Sequence, residues 1–198
     1  MERCWRRGNG SDGGSPAVLM AAEPTVLVIG IGNPLRQDDG VGRWLVEDLE
    51  QDSRAQEFLV QLELRPCHQL LPELAADLAR SERVLFVDAW LADAGDRGAN
   101  QPRLERLASV SCQGERCPEG DADDSVEGGL GAHRCGAEQL LQLCARVYGH
   151  RPAAWVLLVP GESFGHGTHW SPRLQRQVPE ARALLWRWLA GPEDACTN

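Results

Sequence analysis

The 198-residue sequence predicts an α/β fold, a mostly parallel twisted sheet of about five strands with helices on both faces, in a single domain. Three observations lead there. The short runs 26–29, 84–87 and 155–159 are apolar at every position, as strands covered on both faces are. Segments of helical period fall between them, which implies right-handed crossovers. A 42% hydrophobic content over this length suits one buried core.

The first 23 residues, with Gly8, Gly10, Gly13 and Gly14 among polar neighbours, are expected to be a flexible extension, and Met20 is an alternative start. A strand at 26–29 then runs into the turn Gly30-Ile31-Gly32-Asn33-Pro34. Val41, Trp44, Leu45 and Leu49 recur at helical spacing directly after it. Residues 58–64 alternate as a second strand, and Pro72 opens a helix with Leu71, Leu74, Ala75 and Leu78 on its apolar stripe. The third strand, 84–87, is expected to end at Asp88. Residues 103–110 read as an edge strand. The stretch 112–131, with six acids, one Arg and five glycines, reads as a loop insertion. A helix over about 136–148, the strand 155–159 and a helical tract from Pro172, interrupted or kinked at Pro179, complete a domain spanning 24–191, followed by a tail at 192–198.

Composition narrows the function. A net charge of −9 argues against nucleic acid or an anionic membrane as partner. All 20 cationic side chains are Arg, so neither a Schiff-base lysine nor a P-loop lysine is available. Apolar runs are far shorter than the roughly 20 residues that cross a bilayer. Seven cysteines without a C-x-x-C pair suggest reduced thiols and a cytoplasmic setting, with Cys112 and Cys117 open as a metal or redox pair. A small chain of this kind is expected to be a monomer.

Parallel sheets bind ligands beyond the carboxyl ends of their strands. That rule selects Asp38 and Asp39 after the first strand, Asp88 at the end of the third, and His133 in the loop before the next helix. Two carboxylates and an imidazole suit a divalent ion with open positions. Asp39 also reads as a helix N-cap, Asp88 as a turn cap and His133 as a surface histidine. Three competing motifs are weak. Gly30-x-Gly32 lacks the third glycine of a dinucleotide loop, which Leu35 replaces, and its aspartates would repel phosphate. Gly161-Glu162-Ser163-Phe164-Gly165 spells a nucleophile elbow but precedes a loop rather than a helix. His166 and His169 lack a third ligand nearby.

Gly30 to Gly42 (G-I-G-N-P-L-R-Q-D-D-G-V-G), Arg83 to Ala89 (R-V-L-F-V-D-A) and His133 together closely resemble the [NiFe]-hydrogenase maturation endopeptidases, over about residues 25–190. The His68-Gln69-Leu70-Leu71-Pro72-Glu73-Leu74 stretch and the loop 131–134 resemble the member that serves the bidirectional, NAD-linked hydrogenase. The resemblance implies a cytoplasmic protease, of aspartic type, that removes a C-terminal extension from the hydrogenase large-subunit precursor after nickel insertion. It implies metal contacts at Asp39, Asp88 and His133, the first and second being the best catalytic candidates, and substrate contacts at Gly30, Gly32, Asn33 and Asp38. Nickel would come from the substrate, and zinc or cadmium could substitute. Two rivals remain at this stage: a hydrolase with its own zinc, and a nickel-dependent escort without proteolysis. Family members often carry Glu where Asp39 stands, so the reach here is about one methylene shorter.

Overall fold

Parallel strands joined through helices are what the alternation of apolar runs dictates, and the computed structural model shows them. It describes residues 25–56, 61–91, 101–107 and 130–191, with the backbone alone at 25, 56, 61 and 130–135. In chain order the elements are β1 (Thr25–Ile31), α1 (Val41–Gln51), α2 (Ser53–Gln56), β2 (Gln61–Cys67), α3 (Ala75–Leu78), β3 (Ser81–Leu91), β4 (Arg103–Leu107), α4 (Leu130–Tyr148), β5 (Ala153–Gly161) and α5 (Pro172–Ala190). The sheet order is β2-β1-β3-β5-β4, parallel except for β4, which runs antiparallel to β5 at the edge.

Alternate residues of the central strands feed two cores. Leu27, Ile29, Phe86 and Trp90 face α3 and α4, with Ala137, Leu140, Leu141 and Cys144 opposite them. Val26, Val28, Leu85 and Val87 face α1 and α5, against Leu45, Val46, Leu174, Leu185 and Trp188. Each such aliphatic side chain removed from water contributes about 1.5–3 kcal/mol. Arg83 of β3 closes the end of α5, its Nη1 and Nη2 donating to the carbonyls of Trp188 (3.1 Å) and Leu189 (2.9 Å).

Several boundaries differ from the sequence expectation for identifiable reasons. β3 runs to Leu91 rather than stopping at Asp88, because β5 continues to pair it through Leu91↔Gly161. β2 is displaced to Gln61–Cys67; Pro66 is tolerated because β2 is an edge strand bonded only to β1. The helix expected from Pro72 is a 3₁₀ turn, Pro72–Leu74, leading into the single turn of α3, with Leu71 exposed. α4 begins at Leu130, not near 136, so His133 lies in a helix and not in a loop. α5 runs unbroken through Pro179, since one lost backbone bond is outweighed by the buried stripe on either side of it. Trp44, placed on the buried stripe by its spacing, is exposed, as is Val147 of α4. The N-terminal extension, Cys112, Cys117 and the tail at 192–198 lie outside the described residues, as does most of the acidic insertion. Among the described residues no helix is long and apolar enough to cross a membrane.

α1 is pressed onto the sheet at its first turn. A Cβ on Gly42 would lie 2.3 Å from the carbonyl oxygen of Val87 and 2.5 Å from that of Ile31; one on Gly30 would lie 2.3 Å from the Gly42 oxygen. Both strand ends and the helix therefore meet backbone to backbone. Gly42→Ala is expected to cost about 3 kcal/mol, or to prevent folding, by lifting α1 from β1 and β3; urea denaturation followed by circular dichroism measures it, and a loss under 0.5 kcal/mol contradicts the packing.

Candidate active site

The sheet changes direction of winding between β1 and β3, because β2 lies on one side of β1 and β3 on the other. Such a switch point leaves a crevice at the carboxyl edge. Here it holds a cavity of about 470 Å³ whose wall includes Gly32, Asn33, Arg36, Asp39, His68, Asp88 and Gly136. Asp39 and Asp88, 49 residues apart in the sequence, thus open onto one space.

Asp39 is held by the turn that follows β1. Gly32 turns at φ 139°, and a Cβ there would fall 1.8 Å from the Asp39 carbonyl oxygen, so only glycine fits. Asn33 Oδ1 accepts from Leu35 N (2.9 Å), the Arg36 amide donates to the Asn33 carbonyl (2.9 Å), and the Asn33 amide donates to Asp39 Oδ2 (2.8 Å). The carboxylate is therefore not the cap of α1, whose N-cap is Gly40 without a side-chain bond. It is turned back to the start of its own loop.

Asp88 owes its place to a mismatch of ladder lengths. β1 stops pairing β3 at Gly30↔Val87, while β5 carries on past Asp88. The carboxylate projects, by parity with Phe86 and Trp90, towards the α4 side just where β1 leaves room. It is only 4% exposed, and Oδ1 accepts from the Ala89 amide (2.8 Å). Its charge reaches Cys67, the last residue of β2: burial first, and Asp88 second, push that thiol up to about 11 against the opposing pull of Arg43.

His133 lies on α4 three residues, nearly one turn, before Gly136, which lines the cavity. Its side chain is outside the described residues. Among the described residues no three His, Cys, Asp or Glu side chains stand close enough to hold an ion by themselves. Asp39 and Asp88 are the carboxylates on the cavity wall. His68 also lines the cavity, its Nε2 accepting from Arg43 Nη1 (3.1 Å). A guanidinium only donates, so the neutral ring carries its proton on Nδ1. The strand-end rule would have found His68 had β2 been drawn to Cys67 instead of Leu64.

Asp38 has a different part from its neighbour. It is fully buried, with Oδ2 accepting from Glu162 N (2.8 Å), Ser163 N (3.0 Å) and Ser171 Oγ (2.7 Å), and Oδ1 from Ser171 N (2.7 Å). Ser171 Oγ in turn accepts from Leu174 N (3.1 Å) and caps α5. Substrate contact was expected at Asp38, yet its oxygens face inward onto the 162–171 loop. Gly30 likewise meets α1, whereas Gly32 and Asn33 line the cavity. The segment Gly161 to Gly165 curls onto Asp38 and Gln37, and no helix begins before Pro172, so Ser163 is not on a nucleophile elbow. His166 and His169 are exposed and outside the cavity; His169 lines a second cleft of about 520 Å³ with Trp44 and Trp170, whose rings meet edge to face at 5.0 Å.

Two neighbouring aspartates should therefore respond unequally to the same change. Asp38→Asn offers an N–H group where a donor already points and is expected to cost about 3 kcal/mol; Asp39→Asn should cost under about 1 kcal/mol, because Asn33 keeps an acceptor. Thermal denaturation of both variants checks the contrast, and equal losses contradict it. For Cys67 the ionised thiol is disfavoured by the fold, so alkylation by iodoacetamide in the native state should stay slow at pH 9 and rise only towards pH 11. Removing the opposing charge in Asp88→Asn should speed it at pH 9, as peptide mass spectrometry would show; no change would separate the two groups.

No protein-family model matches the chain, and no curated protein sequence does. Solved structures share its fold. The hydrogenase maturating endopeptidase HybD from E. coli is similar with a TM-score of 0.58 and 21% identity, over 84% of this chain and 92% of that one. The [NiFe] hydrogenase maturation protease HybD from Thermococcus kodakarensis gives 0.57 and 20%, over 83% and 99%. HycI, a [NiFe] hydrogenase maturation protease from Thermococcus kodakarensis KOD1, gives 0.53 and 17%, over 86% and 96%. At these identities the likeness establishes a common fold.

Proposed function

We propose that the protein is an endopeptidase that removes the C-terminal extension from the nickel-loaded large-subunit precursor of a [NiFe]-hydrogenase. One observation carries the reading: Asp39 and Asp88 line a single cavity at the switch point, with α4 entering it one turn after His133. The fold is the one that the named maturation proteases have.

The chemistry follows from what the cavity offers. Two carboxylates do not by themselves close the coordination of a divalent ion, which suits an ion that arrives already held by the precursor's cysteines. Asp39, Asp88 and His133 then complete the shell, and cleavage becomes conditional on nickel loading. That condition favours a visiting nickel over a resident zinc; cadmium or zinc in the precursor would serve as substitutes. Bound there, the ion would polarise the scissile carbonyl or its attacking water. Asp39 is more open than Asp88 and accepts only one bond from its own turn, so it is the carboxylate placed to receive the water's proton. Asp88, nearly closed off from solvent, holds the ion.

The finer assignment to the bidirectional, NAD-linked hydrogenase rests on the resemblance of the stretch His68 to Leu74 and of the loop 131–134, and His68, Gln69 and Leu70 of that stretch line the cavity. The setting proposed is the cytoplasm, and the acting form a monomer.

Gel mobility of a candidate precursor measures the reaction. The nickel-loaded precursor should shorten on incubation with the protein and the nickel-free form should not. Asp39→Asn should lower the rate by about 10²-fold or more, the order expected when a proton acceptor is lost. Equal cleavage of loaded and empty precursor contradicts nickel recognition; complex formation without shortening contradicts the protease.

A further inference from the structure

Arg36 is a guanidinium on the wall of the two-aspartate cavity, in the same turn that carries Asp39. Its Nε and Nη2 both donate to the Phe164 carbonyl at 3.3 Å, so one edge of the fork is braced on the 162–167 loop. No acidic side chain pairs with it among the described residues. Arg43, by contrast, is committed to Glu47 (2.7 Å) and His68 (3.1 Å). The backbone around Arg36 is fixed from both sides. Its amide bonds Asn33 O and its carbonyl accepts from Asp39 N (3.2 Å). Gln37, at the left-handed φ of 53°, donates its amide to Gly167 O (2.8 Å). A strained, doubly anchored turn thus presents a cation whose terminal Nη1–Nη2 edge no acidic side chain takes up among the described residues.

We propose that Arg36 is a further catalytic residue, whose free edge donates to the carbonyl oxygen of the acyl group being cleaved and holds the carboxylate that oxygen becomes. This rests on the protease reading above. In hydrolysis the oxygen of water bonds to the acyl carbon and the C–N bond breaks with its electron pair on nitrogen. One water proton reaches the leaving amine and the other passes to solvent. Negative charge grows on the carbonyl oxygen and ends spread over a carboxylate. A planar two-donor edge matches that product better than an ammonium group does. It is stronger for the charged oxygen than for the neutral carbonyl, so it acts on the rate more than on binding.

The test uses the whole protein and two readouts. In precursor processing, Arg36→Ala should lower kcat by about 10²–10³-fold with KM changed less than about threefold, and Arg36→Lys should recover only part of it. Melting temperature reports whether the loop brace is lost instead. Independently, the Arg36 guanidinium Nη–H NMR signals should move on titration with N-acetylglycine and stay still with N-acetylglycinamide, which lacks the carboxylate. Processing at the wild-type rate by Arg36→Ala overturns the proposal. So does a loss of rate matched by a fall in melting temperature with no response to the acid. A wild-type protein that leaves the precursor uncut while Arg36 still takes the acid overturns the protease reading and supports the carboxylate seat alone.

Discussion

A buried carboxylate ties this molecule together at its working edge. Asp38 gathers four donors from the loop between β5 and α5, at sequence separations of 124 to 133 residues. Burying a carboxyl group is expensive, and it is tolerated where both oxygens accept hydrogen bonds, as here. The consequence is that the turn carrying Arg36 and Asp39 cannot move without the 162–171 loop, which also caps α5 through Ser171. Rigid placement of the next residue, Asp39, follows from the clamp on its neighbour. The ion site proposed here would need this kind of support.

The second constraint is the lack of side chains where backbone meets backbone. Gly30, Gly32 and Gly42 let β1, its turn and α1 approach until a Cβ at any of them would overlap a carbonyl oxygen. The sequence motif is thus read twice: its glycines seat a helix against two strand ends, and its aspartates divide into one that braces and one that faces the cavity. The glycine spacing that resembles a nucleotide loop here serves the close approach of backbone to backbone. The turn after β1 points the Asp39 carboxylate into the space an anion would occupy.

Much of this was legible beforehand because it depends on local pattern. Apolar runs, alternation and helical spacing located the strands and the longer helices among the described residues, and of the four residues that the strand-end rule selects, Asp38, Asp39, Asp88 and His133, Asp39 and Asp88 share a cavity. What escaped depends on partners far away in the chain. Asp88 lies inside β3 because β5 is long, and no local signal at 84–91 says so. His68 lies past the alternating run 58–64, because β2 continues through Pro66 to Cys67 only as an edge strand can. Nothing in two adjacent aspartates says which will be buried; that is settled by Ser171 and the amides of Glu162 and Ser163. Trp44 fits an apolar stripe by spacing, yet its ring meets Trp170 at the mouth of a cleft instead of entering the core.

The central claim is that side chains from β1's turn, β3 and α4 converge on one ion. A crystal of the protein with its nickel-loaded precursor, with anomalous scattering recorded at the nickel edge, tests it most directly. The account requires a single peak in the carboxyl-edge cavity within about 2.0–2.3 Å of oxygens from Asp39 and Asp88 and a nitrogen of His133. A peak bound elsewhere, or a His133 imidazole turned out of the cavity with the aspartates empty, would contradict it.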